Sequence, residues 1–374
     1  MDDLNQNPKL GSADRPNSYI GRSVPRERAK KLLEGKGKYV DDILLPRMVH
    51  LSYVRSPFAH AKIKSINTEN AKKIPGVLNV FTIDDIEKVC TPWQGVLGHL
   101  GEMRSPTQYP LAKDVVRWQG EPVAVVVANK RAVAEDALEL VEIDYEDLDA
   151  QLDMETAMDK STKVIHDDLG NNLFWTRTVN QGDVSEAFKQ SHIVEEVTLD
   201  FARHTGVTLE TRAIVADWDS SEERMTIYHN GQAPHMMQSI IAKHLNISEG
   251  LVRIISCDVG GSFGIKVHVY PDEMVTVAVS KLLKRPVKFV ADRLESYSTD
   301  IHSRCHKISG KIGVDDKGKI LAFEIDDLSG IGPFSVYPRT SAIETNQVLN
   351  LSAASYVVPN YKAKGTVVFQ NKTP

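Results

Sequence analysis

The sequence predicts an α+β chain built on mixed sheets. Three observations carry that prediction. Alternating or β-branched runs recur along all 374 residues, among them MVHLSYV at 48–54 and PVAVVVA at 122–128. Helix-period segments fall between them at irregular intervals, without a strict strand–helix alternation. The later strand-like segments, at 191–201, 210–218 and 224–230, follow one another directly, and a close pair occupies 307–330. No repeat of fixed short period is present.

Residues 1 to about 20 are polar and rich in Asn, Asp, Pro and Gly, and read as a flexible arm. Arg26 to Leu33 suits a short helix stopped near Gly35 and Gly37. Met48 to Val54 alternates as a strand, Lys62 to Ile66 continues that style, Thr68 to Ile74 suits a helix, and Val77 to Phe81 is β-rich. PVAVVVA has no polar residue and reads as a buried strand. The next segment spaces Ala132, Ala134, Ala137, Leu138 and Val141 for a packed helix, and VEIDYEDL then alternates as a strand. A small α/β domain over 21–146 follows, then a connecting segment over 147–178 that begins acidic, then a second domain over 179–374. In that second domain Met237, Ile240, Ile241 and Leu245 share one side of a helix. LVRIISCDV is a strand, DEMVTVAVSKLL a long apolar helix ending before Pro286, and PVKFVADR another strand. The pair within 307–330 turns at Asp315 to Lys319.

Lys and Arg number 45 against 50 Asp and Glu, a formal charge of -5 that gives no reason to expect nucleic-acid binding. No apolar run reaches the roughly 18 residues of a membrane span. The N-terminus lacks the apolar core of a secretory signal. Cys90, Cys257 and Cys305 lie too far apart for a CxxC motif and cannot all pair, so a reducing cytoplasm is expected. Cys257 is expected to be buried and inert.

Val259-Gly260-Gly261-Ser262-Phe263-Gly264-Ile265-Lys266 follows a strand and precedes a helical segment. Its glycines permit a tight turn and close approach by a ligand, and its N–H groups can cradle an anion. The spacing is neither that of a dinucleotide fingerprint nor that of a P-loop. A structural turn and a ligand loop both remain open. Gln232, in HNGQAPH, lies between a strand and a helix, and its amide both donates and accepts. It suits a cofactor contact, a helix cap or a surface amide.

Taken together, N-G-Q-x-P-H and G-G-S-F-G-I-K resemble the molybdenum hydroxylase family, which includes xanthine dehydrogenase, aldehyde oxidase and aerobic carbon monoxide dehydrogenase. GKGKYVDDI, MVHLSYVRSPFAHAKI and YPLAKDVVRWQGEPVAVVVA resemble that family's opening α/β hammerhead domain. HTGVTLETRAIVADW and RPVKFVADRLESYSTDIHSRCHKISGKIG resemble the first part of its molybdopterin-binding domain. The resemblance covers nearly all of residues 20–374 and rests on the ordered set of motifs. It implies that Gln232 approaches the oxo and dithiolene side of a molybdopterin cofactor. It implies further contacts from the loop Gly261, Ser262, Phe263 and Gly264, with the Phe263 ring as an apolar wall.

Two departures matter. Ser262 replaces the middle glycine of the family's GGGFG, so the turn must accept a Cβ. Ile265, Lys266 and Val267 stand where the xanthine dehydrogenase branch has Gly-Lys-Glu, so the purine-binding carboxylate is missing and purine hydroxylation is disfavoured.

The resemblance implies an oxidoreductase that hydroxylates or dehydrogenates a small substrate with water as oxygen source. It resembles the carbon monoxide dehydrogenase and aldehyde oxidase large chains. The family's AYRG-type loop, most pterin contacts and the general-base glutamate would follow the final GTVVFQNKTP, so no catalytic residue is assigned. The remainder of the molybdopterin unit is expected on a partner chain, or else lost. The cofactor, with molybdenum and in the cytosine dinucleotide form as one option, would be shared with that partner. Three scattered cysteines cannot ligate a four-cysteine cluster, so FAD and [2Fe-2S] clusters are expected on other subunits. The alternative is a non-catalytic or truncated scaffold that binds no metal unaided.

No metal ligand is assigned in this chain. His302 and His306 would converge only on a helix, and the run there reads as turn then strand. Arg304 and His306 are expected in structural or phosphate-side roles, Glu210 in a structural one. The lysines between Lys30 and Lys38 suit a solvated face or a subunit contact.

Overall fold

The computed structural model describes residues 19, 23–26 and 29–374. The expected arm lies outside the described residues except for Tyr19, as do the helix positions Glu27 and Arg28. What is described of that helix is α1, Ala29–Leu33.

The first part of the chain contains β1 (Val49–Arg55), β2 (Ala61–Asn67), α2 (Glu69–Lys72), β3 (Val77–Phe81), α3 (Ile83–Ile86), β4 (Val115–Val116), β5 (Pro122–Ala128), α4 (Arg131–Leu138) and β6 (Glu142–Asp147). All of β5 is buried. It lies between β1 and β3 and is covered by α4 through Ala134 and Ala137, which is why it carries no polar residue. Strands β4, β2 and β6 form a separate antiparallel sheet.

The rest contains β7 (Leu173–Gln181), α5 (Val184–Lys189), β8 (Ile193–Phe201), β9 (Ala213–Asp219), β10 (Arg224–His229), α6 (Pro234–His244) and β11 (Val252–Ser256). It continues with α7 (Pro271–Leu283), β12 (Val287–Val290), α8 (Arg293–Thr299), β13 (His306–Val314), β14 (Ile320–Ile331), α9 (Ile343–Leu351) and β15 (Asn360–Phe369). Strand β7 begins inside the expected connection 147–178 and pairs with β15 across the second domain. The expected strand at 286–293 stops at Val290. Asp292 then caps α8, accepting from Glu295 N–H at 2.7 Å, while Glu295 accepts from Asp292 N–H at 3.1 Å.

One seven-stranded sheet, ordered β11-β10-β9-β12-β1-β5-β3, joins the two parts of the chain. The seam is the parallel pairing of β1 with β12, Val49 opposite Val287. Helix α7 packs on this sheet and is buried throughout Asp272–Ser280, which accounts for its all-round apolar sequence. Helix α6 adds Met237, Ile240, Ile241 and Leu245 to the same core. The second sheet, ordered β7-β15-β14-β13-β8, carries its own core beneath α9.

Buried charge ties α7 to its surroundings. Arg212 donates to Asp272, Asp300 and Thr299, and its guanidinium lies 3.7 Å from the Tyr270 ring centroid. Arg55 of β1 bridges Asp272 and Glu295 at 3.1 and 2.8 Å.

Candidate functional site

Strands β10 and β11 are parallel neighbours, His229 opposite Ser256. Their C-terminal ends therefore emerge side by side, one leading to Gln232 and the other to the glycine loop. Asn230, fully buried, fixes the first exit by donating to Thr211 C=O at 2.8 Å and accepting from Ala213 N–H at 3.2 Å. Pro234 then opens α6, so Gln232 stands just ahead of a helix start.

The structure joins Gln232 to the loop directly. Gly264 N–H donates to Gln232 Oε1 at 3.1 Å, and Gln232 N–H donates to Lys266 C=O at 2.9 Å. With Oε1 held in this way, the Nε2 donors of this exposed side chain meet no protein acceptor among the described residues. Gln232 is not a helix cap: none of the capping hydrogen bonds of α6 uses it.

Gly261 and Gly264 have φ of 101° and 91°, values that disfavour any side chain. Ser262 lies outside the left-handed region, so its Cβ enters without backbone strain, and its C=O accepts from Ile265 N–H at 2.9 Å. Phe263 is the strained member. Its φ is 49°, which costs an L-residue about 1–2 kcal/mol, and the residue is 76% exposed. It is therefore not a core phenylalanine. A Cβ placed on Gly264 would meet nothing within 4 Å, so the space before the loop is open.

These features fit a molybdopterin group. The Gln232 amide would offer donors to an oxo ligand, the glycine at 264 would admit a close neighbour, and Phe263 would offer an apolar face. Ser262 adds a hydroxyl without closing the turn.

The loop is anchored at its start by the N-terminal lysines. Lys31 Nζ and Lys38 N–H each donate to Asp258 Oδ2 at 2.7 Å, and Asp258 N–H donates to Lys38 C=O at 3.0 Å. Part of the expected solvated face is thus a structural contact. Sequence reasoning also leaves Lys266 as an ordinary loop residue, whereas the structure buries its side chain to 1% exposure against Glu210. The signal was a lone lysine among Ile265, Val267 and Val269. Cys257 is half-buried, and burial raises its thiol pKa.

The histidines stand apart from this site. His204 bridges to Ser303 in backbone pairing, and His306 in β13 is held by Asp327 at 2.8 Å and Glu344 at 3.6 Å. Among the described residues no group of three His, Cys, Asp or Glu side chains is placed to hold a metal ion. No helix there is long and apolar enough to cross a membrane.

Residues 165–374 match the molybdopterin cofactor-binding domain family, and residues 34–149 match the a/b hammerhead domain of aldehyde oxidase and xanthine dehydrogenase. The large subunit of nicotine 6-hydroxylase from Paenarthrobacter nicotinovorans is 35% identical over 359 residues, covering 94% of this chain and 44% of that protein. The large molybdopterin subunit of nicotinate dehydrogenase from Eubacterium barkeri is 28% identical, covering 94% of this chain and 79% of that subunit. The crystal structure of quinoline 2-oxidoreductase from Pseudomonas putida 86 superposes with a TM-score of 0.89 at 31% identity, covering 95% of this chain and 45% of that one. The chain thus spans less than half the length of nicotine 6-hydroxylase's large subunit but most of the nicotinate dehydrogenase subunit. With both domain matches in sequence order and the glycine loop and Gln232 joined as above, the chain belongs to the molybdenum hydroxylase family.

Proposed function

We propose that this chain supplies the first half of a molybdenum–molybdopterin site in a multi-subunit oxidoreductase acting on a small substrate. The observation that carries the reading is the hydrogen bond from Gly264 N–H to Gln232 Oε1 across two parallel strand ends. It ties the Gln232 amide oxygen to the loop that carries the exposed Phe263 and leaves the Nε2 donors without a protein acceptor among the described residues. When bound, the cofactor supplies the oxidation chemistry, with water as oxygen source. The residues of this chain bind and orient it. Gln232 donates from Nε2, Gly261, Ser262 and Gly264 let the main chain come close, and Phe263 excludes water from one face. The purine-binding carboxylate is replaced by Val267, which favours substrates other than purines.

In this reading residues 21–146 form the hammerhead domain and 179–374 the first molybdopterin-binding domain, with 147–178 between them. The remaining pterin contacts and the general base come from the portion of the longer relatives that this chain does not span. FAD and [2Fe-2S] clusters reside on further subunits, the cytosine dinucleotide is one option for the form of the pterin, and the assembly works in the cytoplasm.

The test is Gln232→Ala in the assembled complex. The expected result is a lower oxidation rate and a changed cofactor absorption spectrum with the subunits still associated. An unchanged rate and spectrum removes Gln232 from the site. A complete complex that contains no molybdenum favours the scaffold alternative.

A further inference from the structure

Glu210 precedes β9 and is remote in sequence from the loop, yet it holds both ends of it. Gly260 N–H donates to Glu210 Oε2 at 2.8 Å, and Glu210 N–H donates back to Gly260 C=O at 3.1 Å. At the other end Lys266 Nζ donates to the same Oε2 at 2.9 Å. Lys266 C=O in turn accepts Gln232 N–H at 2.9 Å, and Gln232 Oε1 accepts Gly264 N–H at 3.1 Å. These bonds close a circuit: Glu210, Gly260, the loop, Gly264, Gln232, Lys266 and back to Glu210.

The circuit sorts the donors of the loop. Gly260 gives its N–H and C=O to Glu210, and Gly264 gives its N–H to Gln232. The N–H groups of Gly261, Ser262 and Phe263 meet no protein acceptor among the described residues. Gly260 sits so close that a Cβ there would stand 2.5 Å from Glu210 Cβ. The start of the loop is therefore fixed by contact as well as by hydrogen bonding.

Energetics argue against a merely stabilising role. Lys266 Nζ is almost wholly withdrawn from water, and burial lowers its pKa against the opposing pull of Glu210. Taking an ammonium out of water costs several kcal/mol, which one carboxylate only partly offsets, so an apolar residue would stabilise the fold at least as well. What an apolar residue cannot do is hold a carboxylate oxygen between the two ends of a loop.

We infer that Glu210 and Lys266 are positioning residues. They set the glycine loop and the Gln232 amide in the orientation that meets the cofactor. The inference rests on the proposed molybdopterin site, and its test separates the two.

The experiment compares the assembled complex carrying Glu210→Ala, Lys266→Met or Glu210→Gln with the unaltered complex. Three quantities are read: hydrogen exchange of the loop amides, molybdenum content, and the electron paramagnetic resonance spectrum of the reduced molybdenum centre. Glu210→Gln keeps an oxygen acceptor for Gly260 N–H and Lys266, and is expected to retain slow exchange and the native spectrum. Glu210→Ala and Lys266→Met are expected to speed exchange at the hydrogen-bonded amides of Gly260 and Gly264 by roughly tenfold or more, with β14 unchanged as the control for folding. Molybdenum content falls with them, and the remaining spectrum broadens or shifts. Loop exchange within about twofold of the unaltered complex in either variant, with β14 protected, overturns the inference. Faster loop exchange with molybdenum content and spectrum unchanged keeps the positioning role and sinks the cofactor reading instead.

Discussion

Raising the pH should loosen the second sheet through a single histidine. His306 lies in β13 with its side chain 5% exposed, between Asp327 of β14 and Glu344 of α9. Burial alone would lower its pKa, but hydrogen bonds to the two carboxylates outweigh it and lift the value from 6.5 to about 9. Burial would likewise raise Glu344, yet bonds from His306 and Arg304 hold it below the usual range. The folded state thus binds the His306 proton more tightly than the unfolded chain does. The resulting stabilisation is fully present below the unfolded value of 6.5 and is lost as pH rises through about 9. At about 1.4 kcal/mol per pH unit of difference, the whole effect is ~3 kcal/mol. The perturbation is His306→Gln, which keeps a polar side chain but does not titrate. The assay is urea unfolding at about pH 6 and about pH 10, followed by fluorescence of the buried tryptophans. The unaltered chain should lose ~3 kcal/mol more than the variant across that interval. Equal losses, within about 0.5 kcal/mol, would refute the assignment of the proton to this trio.

Other outcomes follow from the same geometry. Arg212→Met strands Asp300 without its cation and removes one of the two arginines on Asp272, and should cost about 3–5 kcal/mol by urea titration. A loss below about 1 kcal/mol would show that the network is not needed to hold α7. Gly260→Ala drives a Cβ against Glu210 and should destabilise by about 1–3 kcal/mol, while Gly98→Ala, where nothing stands within 4 Å, should be near neutral. Equal effects at the two glycines would contradict the close approach. The Cys90 thiol, fully buried, is pushed up to about 12 and should resist alkylation at neutral pH until the chain unfolds. Mass-mapped labelling of Cys90 at the rate of Cys305 in the folded protein would count against its burial.

Much of this protein was legible in the order of its residues. The all-apolar run of β5 requires a strand covered on both faces, and the helix-period residues of α6 require one buried side. The motifs around Gln232 and Phe263 pointed to a family because they recur as an ordered set. The start of α8 was missed: the strand read over 286–293 ran through Asp292, where the Asp292 and Glu295 spacing of a capping box marks a helix start. Strand β7 was harder to read, because Arg177, Asn180 and Gln181 break its apolar alternation and its partner β15 lies at the far end of the chain.

Tertiary structure decided the rest, for one physical reason: hydrogen bonds and charges act through space, without regard to sequence separation. The parallel pairing of β10 and β11 is what brings Gln232 to Gly264. Burial is what turns Lys266 from a loop lysine into a partner of Glu210. The sign of φ at each loop position tells why Ser262 is tolerated while Phe263 is strained, and no residue spacing encodes it. The sequence by itself determined the fold class, most of the apolar elements and the family resemblance, but not β7 or α8. The distances that make a site of them came from the packing of strands whose pairing no local pattern records.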